Sequence, residues 1–512
     1  MQTRRITRLK PVGSGPMANF KMGNAYFEQG KYAEALKEFE EAVRQNPALT
    51  PAHVRIGDVH LAEKRHDQAM EAYRRGVRLN PTLPMCHLKL GNAYAAQGKP
   101  DEAVAAYRET LRLDPNTALA HFKLGTVQLE QQEYTEAIVS FETALSLNPQ
   151  LLGAHLRIGD AYVERGEYES AAESYQAALR FDPKLAFAHV KLGDLHLRQG
   201  NREESMAAYR RALAVDPKFA MAHIRLGGQL AEEGRHEEAS AEYQKALTLE
   251  PKREIAFLAH VKTGAARQAL KDTAGAIAAF EAALALNPSV SGLHVKLANA
   301  YASQERHAKA LEAYEAAIAL TPETGQLHLR RGLTLAELGR EAEALEALNR
   351  ALALDSDLPK AHVEIGDIHR RAKRQDEALA AYELALKKSS KMAAAHIGIG
   401  DIRFDRGEFE GAMESYRAGV RSDPKNVHAH TRLGDLFFQQ KQFREAQAEY
   451  QAATRLDPGQ AAAHLGLGWV HQETGDPAKA LAAFQAALAL DPTLTEARKA
   501  VDRIEKEQKP PR

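Results

Sequence analysis

A proline returns every 34 residues through most of this chain. The series runs through Pro47, Pro81, Pro115, Pro149, Pro183, Pro217 and Pro251, steps 37 residues to Pro288, and continues at Pro322, Pro424, Pro458 and Pro492, with Ser356 and Ser390 in two intervening places. A period of about 20–50 residues is typical of a repeat array, whose units pack on their neighbours instead of around one central core. The period divides residues 16–494 into fourteen repeats.

Each repeat carries small and aromatic residues at fixed positions. In the first repeat, Gly23 stands at position 8, Ala35 at position 20, Phe39 at position 24 and Ala42 at position 27. Spacings of three, four and seven residues place such side chains on one face of a helix. The proline at position 32 ends a helix, because its ring cannot continue one. The pattern therefore predicts two helices in every repeat, separated by a short polar turn.

This arrangement resembles the tetratricopeptide repeat, whose pattern has a large residue at position 4, Leu-Gly at positions 7 and 8, aromatics at 11 and 24, alanines at 20 and 27, and proline at 32. The resemblance covers residues 16–494 and recurs in phase in all fourteen repeats. It implies an all-α fold, an α-solenoid in which antiparallel helix pairs form a right-handed superhelix. It also implies that the first helices line a concave groove, which in this family usually holds a peptide or a partner protein.

The regularity and its interruptions predict five segments along the chain. They are a disordered basic tail at 1–15, repeats 1–7 at 16–253, repeat 8 at 254–290, repeats 9–14 at 291–494, and a capping helix with a frayed end at 495–512. Three extra residues in PKREIAFLAHVK (251–262) make repeat 8 a candidate kink or the site of a lengthened helix. The capping helix is expected because an array otherwise exposes its last apolar face.

Position 4, usually aromatic in the family, is a histidine in every repeat after the first. These histidines are His53, His87, His121, His155, His189, His223, His260, His294, His328, His362, His396, His430 and His464. A zinc site needs three or four ligands at about 2 Å, whereas successive repeats stand about 10 Å apart. We therefore expect structural, hydrogen-bonded histidines, and we expect neither a metal nor a cofactor.

Two columns of charged and amide side chains supply the candidate functional residues. Position 6 is basic in eleven repeats, and position 9 is often Asp or Asn. Places three apart share one face of a helix, which in the family lines or flanks the groove. The candidate groove residues are Lys21, Asn24, Arg55, Asp58, Lys89, Asn92, Lys123, Arg157, Asp160, Lys191, Asp194, Arg225, Lys262, Lys296, Asn299, Arg330, Arg432 and Asp435.

These columns have two compatible interpretations. They are a salt-bridge ladder, in which each pair contributes a few tenths of a kcal/mol. Alternatively they are a binding stripe, in which the bases hold a partner's carboxylates or carbonyls and the Asp and Asn side chains accept its backbone N–H groups. Position 2 adds Met17, Met85, Leu119, Phe187 and Met221, which are either packing residues or apolar pockets of an adaptable surface.

The same columns separate this chain from two well-known branches of the family. Chaperone-binding members clamp a C-terminal carboxylate with a lysine at position 5, which here is apolar, as in Phe20, Val54 and Leu88. The long regular arm of O-linked N-acetylglucosamine transferases is similar in length, but it carries asparagine at position 6, where this chain has Lys or Arg. The carboxylate clamp is therefore not expected here, and the transferase arm is the closer likeness in length and regularity.

Composition and motifs argue against several other classes of function. Lys+Arg and Asp+Glu both number 68, so the zero formal charge argues against nucleic-acid binding along the base column. The single cysteine, Cys86, cannot form an internal disulfide, and no apolar run approaches the roughly 18–20 residues that cross a bilayer. Phosphate-binding loops, HExxH motifs and nucleophile elbows are missing from the sequence.

The sequence therefore predicts a non-catalytic, cytoplasmic scaffold that binds a peptide or a partner protein in the groove of its repeats. Two alternatives stay open. One is an accessory or substrate-recruiting arm for a separately encoded enzyme, such as a glycosyltransferase, and the other is nucleic-acid binding along the Lys/Arg column. Self-association through the ends of the array is also compatible with the sequence.

Overall fold

The computed structural model describes residues 15–507. Within that range the chain forms twenty-nine α-helices and no β-strand, which confirms the predicted all-α fold of helix pairs. None of the described helices is long and apolar enough to span a bilayer. Residues up to Lys262 form one compact unit and residues from Thr263 form a second, so the division falls within the fifteenth helix.

Each repeat supplies a first and a second helix. The first helices are α1 (Pro16–Glu28), α3 (Thr50–Ala62), α5 (Pro84–Ala96), α7 (Ala118–Glu130), α9 (Leu152–Arg165), α11 (Ala186–Arg198), α13 (Ala220–Glu232), α15 (Arg253–Ala269), α17 (Ser291–Ala302), α19 (Gly325–Glu337), α21 (Pro359–Arg371), α23 (Ala393–Asp405), α25 (Val427–Gln439) and α27 (Ala461–Glu473). The second helices are α2 (Tyr32–Gln45), α4 (His66–Leu79), α6 (Pro100–Leu113), α8 (Tyr134–Leu147), α10 (Tyr168–Phe181), α12 (Arg202–Val215), α14 (His236–Thr248), α16 (Thr273–Leu286), α18 (His307–Leu320), α20 (Glu341–Leu354), α22 (Gln375–Lys388), α24 (Phe409–Ser422), α26 (Phe443–Leu456) and α28 (Pro477–Leu490). A final helix, α29 (Thr495–Glu507), follows them.

The helix ends lie where the sequence predicted them. Asn46 and Asp114, which precede the repeat prolines, adopt extended backbone after α2 and α6, as residues before proline prefer. The turn between the two helices of a repeat needs a left-handed residue, and Gly98 provides it with φ 68°. In the second repeat, Lys64 takes the same conformation with φ 61°.

The core is a series of clusters between neighbouring repeats. The ring at position 24 lies against the glycine at position 8, and a Cβ atom on Gly91 would stand 2.6 Å from Cε1 of the buried Tyr107. Gly91 therefore permits this close approach, because a Cβ atom there would force the ring to shift, whereas the ninth repeat carries the buried Ala298 at position 8. Leu348, which replaces the ring in the tenth repeat, is also fully buried.

The insertion in repeat 8 and the final helix depart from the regular repeat. The inserted residues lie in α15, which has 17 residues, whereas the other first helices have 12 to 14. A lengthened helix was one of the two outcomes expected of the insertion, and the segment boundaries themselves stay predictions. α29 packs Ala497, Ala500 and Ile504 against Phe484. Of the predicted tail only Gly15 is described, and residues 508–512 also lie outside the described range.

Candidate binding face

Every candidate residue lies on a first helix, from Lys21 on α1 to Asp435 on α25. In each first helix, positions 5 and 6 are three and four residues after position 2, and position 9 is three and four residues after positions 6 and 5. Because three or four residues make about one helical turn, these four positions lie on one side of the helix. We call the surface formed by these four positions the first-helix face. Its side chains are mostly acids and amides at position 9, mostly bases at position 6, and mostly apolar at positions 2 and 5.

The position 9 side chains accept a hydrogen bond from the tyrosine at position 24 of the same repeat. In the described residues these bonds are 2.6–2.9 Å long and join Tyr73 to Asp58, Tyr107 to Asn92, Tyr175 to Asp160, Tyr209 to Asp194, Tyr314 to Asn299, Tyr382 to Asp367, Tyr416 to Asp401 and Tyr450 to Asp435. Burial, followed by the charge of Asp58, raises the pKa of Tyr73 far above its ordinary value. The hydroxyl therefore stays protonated and acts as a donor.

Bases at position 6 reach back to the acid of the preceding repeat. Three such pairs lie in the first unit, with Lys89 Nζ 2.9 Å from Asp58 Oδ1, Lys191 Nζ 2.9 Å from Asp160 Oδ1, and Arg225 Nε 3.0 Å from Asp194 Oδ1. Ion pairs between two residues of the same helix have longer nitrogen–oxygen distances, which are 3.3 Å for Arg55 and Asp58 and 3.5 Å for Arg157 and Asp160. These residues therefore form a ladder between repeats, and a binding role for them stays a prediction.

In the second unit, where some repeats lack a base at position 6, the position 9 acids contact cationic side chains from other positions. Arg432 lies 3.5 Å from Asp435, as the spacing predicts. Asp401, however, accepts a 2.8 Å hydrogen bond from Nε2 of His428 at position 2 of the next repeat. Arg370, at position 12, lies 3.6 Å from Asp367 and 3.8 Å from Asp401. Sequence reasoning missed His428, Arg370 and the position 24 tyrosines.

Several candidate bases have no acid within reach. Among the residues that the structure describes, no ion pair is formed by Lys21, Lys123, Lys262, Lys296 or Arg330. The reason is visible in the sequence, because position 9 of their own and the preceding repeats is an amide or an uncharged residue. Around Lys123, for example, these places hold Asn92 and Thr126. Such bases keep their charge available to a partner.

Two cavities of the first unit open on the first-helix face. One, of about 480 Å³, is lined by apolar residues of α1, α3, α5 and α7 together with Arg55, Asp58 and Lys89. The other, of about 350 Å³, is lined mostly by residues of α9 and α11, among them the ladder residues Arg157, Asp160, Lys191 and Asp194. The face therefore changes from apolar to ion-paired along the first unit.

The histidine column is structural, as expected. Nine Nε2 atoms lie 2.9–3.1 Å from the carbonyl oxygen six residues earlier, which belongs to the repeat proline or to Ser390, and they are those of His53, His87, His121, His223, His294, His328, His396, His430 and His464. Each such bond ties the loop after a second helix to the next first helix. Within residues 15–507, no group of His, Cys, Asp and Glu is placed to hold a metal ion.

A repeat array of paired helices, with its position 8 glycines and position 24 rings in register, defines an α-solenoid. The sequence matches the tetratricopeptide repeat profile at residues 20–84, 88–151, 190–254, 261–324, 295–359, 329–393 and 431–495, and a second profile, described as TPR repeat, at 159–200 and 400–440. These matches cover most of the chain. The chain therefore belongs to the tetratricopeptide repeat family.

Solved structures of similar fold include MamA, at 28% identity over 32% of this chain and 97% of that one, with a TM-score of 0.31. A tetratricopeptide repeat protein from Parabacteroides merdae has 17% identity over 49% of this chain and 99% of its own, with a TM-score of 0.42. The Cut9–Hcn1 hetero-tetramer of the APC/C has 14% identity over 88% and 96%, with a TM-score of 0.42. Comparison with curated protein sequences finds no match.

Proposed function

We propose that this protein is a non-catalytic scaffold that binds a peptide or a partner protein on its first-helix face. The observation that carries the proposal is the opening of the two cavities described above on that face, which also carries bases such as Lys123 that form no ion pair among the described residues. A family of interaction repeats and a surface of exposed, unpartnered side chains both favour protein binding. We also propose a cytoplasmic location, since the fold needs no disulfide.

The chemistry of the face supports a binding role over a catalytic one. Its acids are held by tyrosine hydroxyls and bases, so their lone pairs are occupied. The tyrosines titrate far above neutral pH, as burial dictates for Tyr73 and Tyr175. A general acid or base works best with a pKa near the operating pH. These side chains are therefore suited to positioning and recognition.

The test compares partners captured from the native cell lysate by two charge-reversed variants of the full chain. Lys21, Lys123 and Lys296 are changed to Glu on the first-helix face, where no described acid pairs with them. The matched control changes the exposed Lys37, Arg75 and Lys387 of second helices to Glu. Partners lost from the first variant and kept by the control support the proposal. Equal capture by both variants contradicts it, and co-purification of a catalytic chain favours the accessory-arm alternative.

A further inference from the structure

The apolar cavity of the first unit is built from two rows of side chains. Position 5 residues Phe20, Val54 and Leu88 form its floor, and position 2 residues Met85 and Leu119 stand at its rim. Met85 is 48% and Leu119 47% exposed, so both side chains are accessible to a partner. A cavity of about 480 Å³ is large enough to enclose apolar side chains of a bound segment.

Further along the first unit, an apolar side chain at the equivalent position contacts other side chains of the protein. Phe187, also at position 2 and exposed, lies beside the tilted ring of Phe219 with ring centroids 6.4 Å apart, and Lys191 Nζ lies 5.4 Å from the centroid of the Phe187 ring. The neighbouring 350 Å³ cavity is bordered by paired ladder residues. The apolar cavity, with Met85 and Leu119 in its lining, is therefore chemically distinct from the ladder region.

The charge around the apolar cavity is positive. Position 6 is basic in all of the first four repeats, with Lys21, Arg55, Lys89 and Lys123. Position 9 carries a single acid there, Asp58, whose carboxylate already accepts contacts from Tyr73, Arg55 and Lys89. A cationic apolar segment would meet like charge, whereas carboxylates that flank an apolar anchor would meet the unpaired Lys21 and Lys123, on the two outermost of the four first helices that line the cavity.

We propose that this cavity binds an acidic, hydrophobic segment of a partner protein, which inserts a Leu, Ile, Met or Phe side chain between Met85 and Leu119 and places Asp or Glu side chains near Lys21 and Lys123. The flexible thioether of Met85 suits anchors of different shape. This inference rests on the proposed function and adds the chemistry of the partner. It concerns repeats 1–4 alone.

Two pairs of variants separate the apolar from the charged contribution. Met85→Gln with Leu119→Gln removes the apolar rim, and its control, Leu320→Gln with Leu490→Gln, changes side chains that are 41% and 44% exposed at the ends of second helices. Lys21→Gln with Lys123→Gln removes the unpaired bases, and its control is Lys37→Gln with Arg75→Gln. All four positions of each pair are exposed or half-buried, so the fold is expected to persist.

The first experiment selects random peptides of about 12 residues, displayed on phage, on the immobilised full-length chain. We expect the retained pool to be enriched in Asp or Glu together with large apolar residues, and to be lost on the Met85→Gln/Leu119→Gln protein. Retention of the pool by that protein, or enrichment in Lys and Arg, overturns the inference. A pool that binds elsewhere on the first-helix face leaves the proposed function standing, and selection of no peptide counts against both.

The second experiment measures fluorescence anisotropy with a synthetic peptide from the pool and its copy with Gln and Asn in place of Glu and Asp. We expect the rim variant to weaken binding at least about tenfold and the lysine variant at least about threefold. Added salt should weaken binding of the acidic peptide and leave its neutral copy little changed. Equal losses in the control variants, or tighter binding of the neutral copy, would refute the acidic-segment assignment.

Discussion

At the scale of single residues, the contact between the position 24 hydroxyl and the position 9 acid explains most of the acid column. Asp58 is only 8% exposed, yet its carboxylate is satisfied because Tyr73 donates to it from the second helix. A buried carboxylate without such donors would be costly. The column that suggested a binding stripe is therefore also part of the packing between the two helices of a repeat.

Removing one hydroxyl tests this role. Tyr73→Phe should destabilise α3 and α4 by about 1–3 kcal/mol, because the carboxylate of Asp58 loses its hydroxyl donor and keeps only Arg55 and Lys89. The matched control is Tyr243→Phe, whose repeat has Gly228 at position 9 and so offers no carboxylate. Hydrogen exchange of the two helix pairs measures the loss of protection. Equal losses at both sites would show that the hydroxyl–acid contact is not the source of the effect.

Two acids of the second unit should respond to pH with opposite sign. Burial opposes ionisation of Asp401, but hydrogen bonds from His428 and Tyr416 outweigh it and hold the pKa of Asp401 below its ordinary 3.8. Burial dominates at Asp435 and raises its pKa above 3.8, although Tyr450 and Arg432 oppose the shift. A lowered pKa gives stability that is present above the unfolded value and lost as the pH falls, and a raised pKa gives stability that is lost as the pH rises.

We therefore expect Asp401→Asn to cost more stability near pH 7 than near pH 3, and Asp435→Asn to cost more near pH 3 than near pH 7. The measurement is the urea midpoint of unfolding, monitored by circular dichroism, for each variant and for the wild type at both pH values. Each variant is the other's control, since both remove one carboxylate at position 9. Shifts of the same sign in both variants would contradict the assignment.

The residue scale also shows what sequence reasoning could not provide. The sequence itself shows that Tyr at position 24 often accompanies Asp or Asn at position 9. Two repeats with a phenylalanine at position 24, Phe141 and Phe280, carry Thr126 and Ala265 at position 9. The ion pair between Lys89 and Asp58 could not be predicted from the sequence, because it depends on the distance between successive first helices. Spacing on one helix predicted the longer Arg55–Asp58 contact.

At the scale of helices, close approach at position 8 determines which glycines are required. Gly227 and its neighbour Gly228 lie side by side in α13 but face different surroundings. A Cβ atom on Gly227 would lie 2.7 Å from Cε1 of Tyr243, whereas one on Gly228 would have no described atom within 4 Å. The first glycine permits the helix contact, and the second only weakens the helix.

Alanine at these adjacent positions should act in opposite directions. Gly227→Ala should cost about 1–3 kcal/mol, because the Tyr243 ring must shift in a packed core. Gly228→Ala should gain up to about 1 kcal/mol, since alanine restricts the unfolded chain and favours the helix. Hydrogen exchange in α13 and α14 measures both changes. A loss of protection in both variants would mean that Gly228 also has a packing or binding role.

At the scale of the whole molecule, the repeat period predicted the number, order and pairing of the helices. That success has a physical reason, since each repeat repeats the same local contacts and needs no information from distant parts of the chain. In the described residues, the substantial contacts join helices no more than two apart in the chain. The inserted residues of α15 are where this rule gives least guidance, and the sequence left a kink and a longer helix equally open.

The same locality predicts how damage at the C-terminal end should spread. α29 covers Phe484 with Ala497, Ala500 and Ile504, so Ile504→Asp places a carboxylate in that apolar contact. We expect hydrogen exchange to show lost protection in α27, α28 and α29, a smaller loss in α25 and α26, and none in α1–α14, because stability in an array is a sum of neighbouring terms. The control is Arg503→Asp at the adjacent exposed site, which should leave protection unchanged. A loss spread evenly over all helices would instead require the fourteen repeats to unfold as one cooperative body, and repeats 1–4, where we propose that a partner binds, could not then be altered independently of the rest.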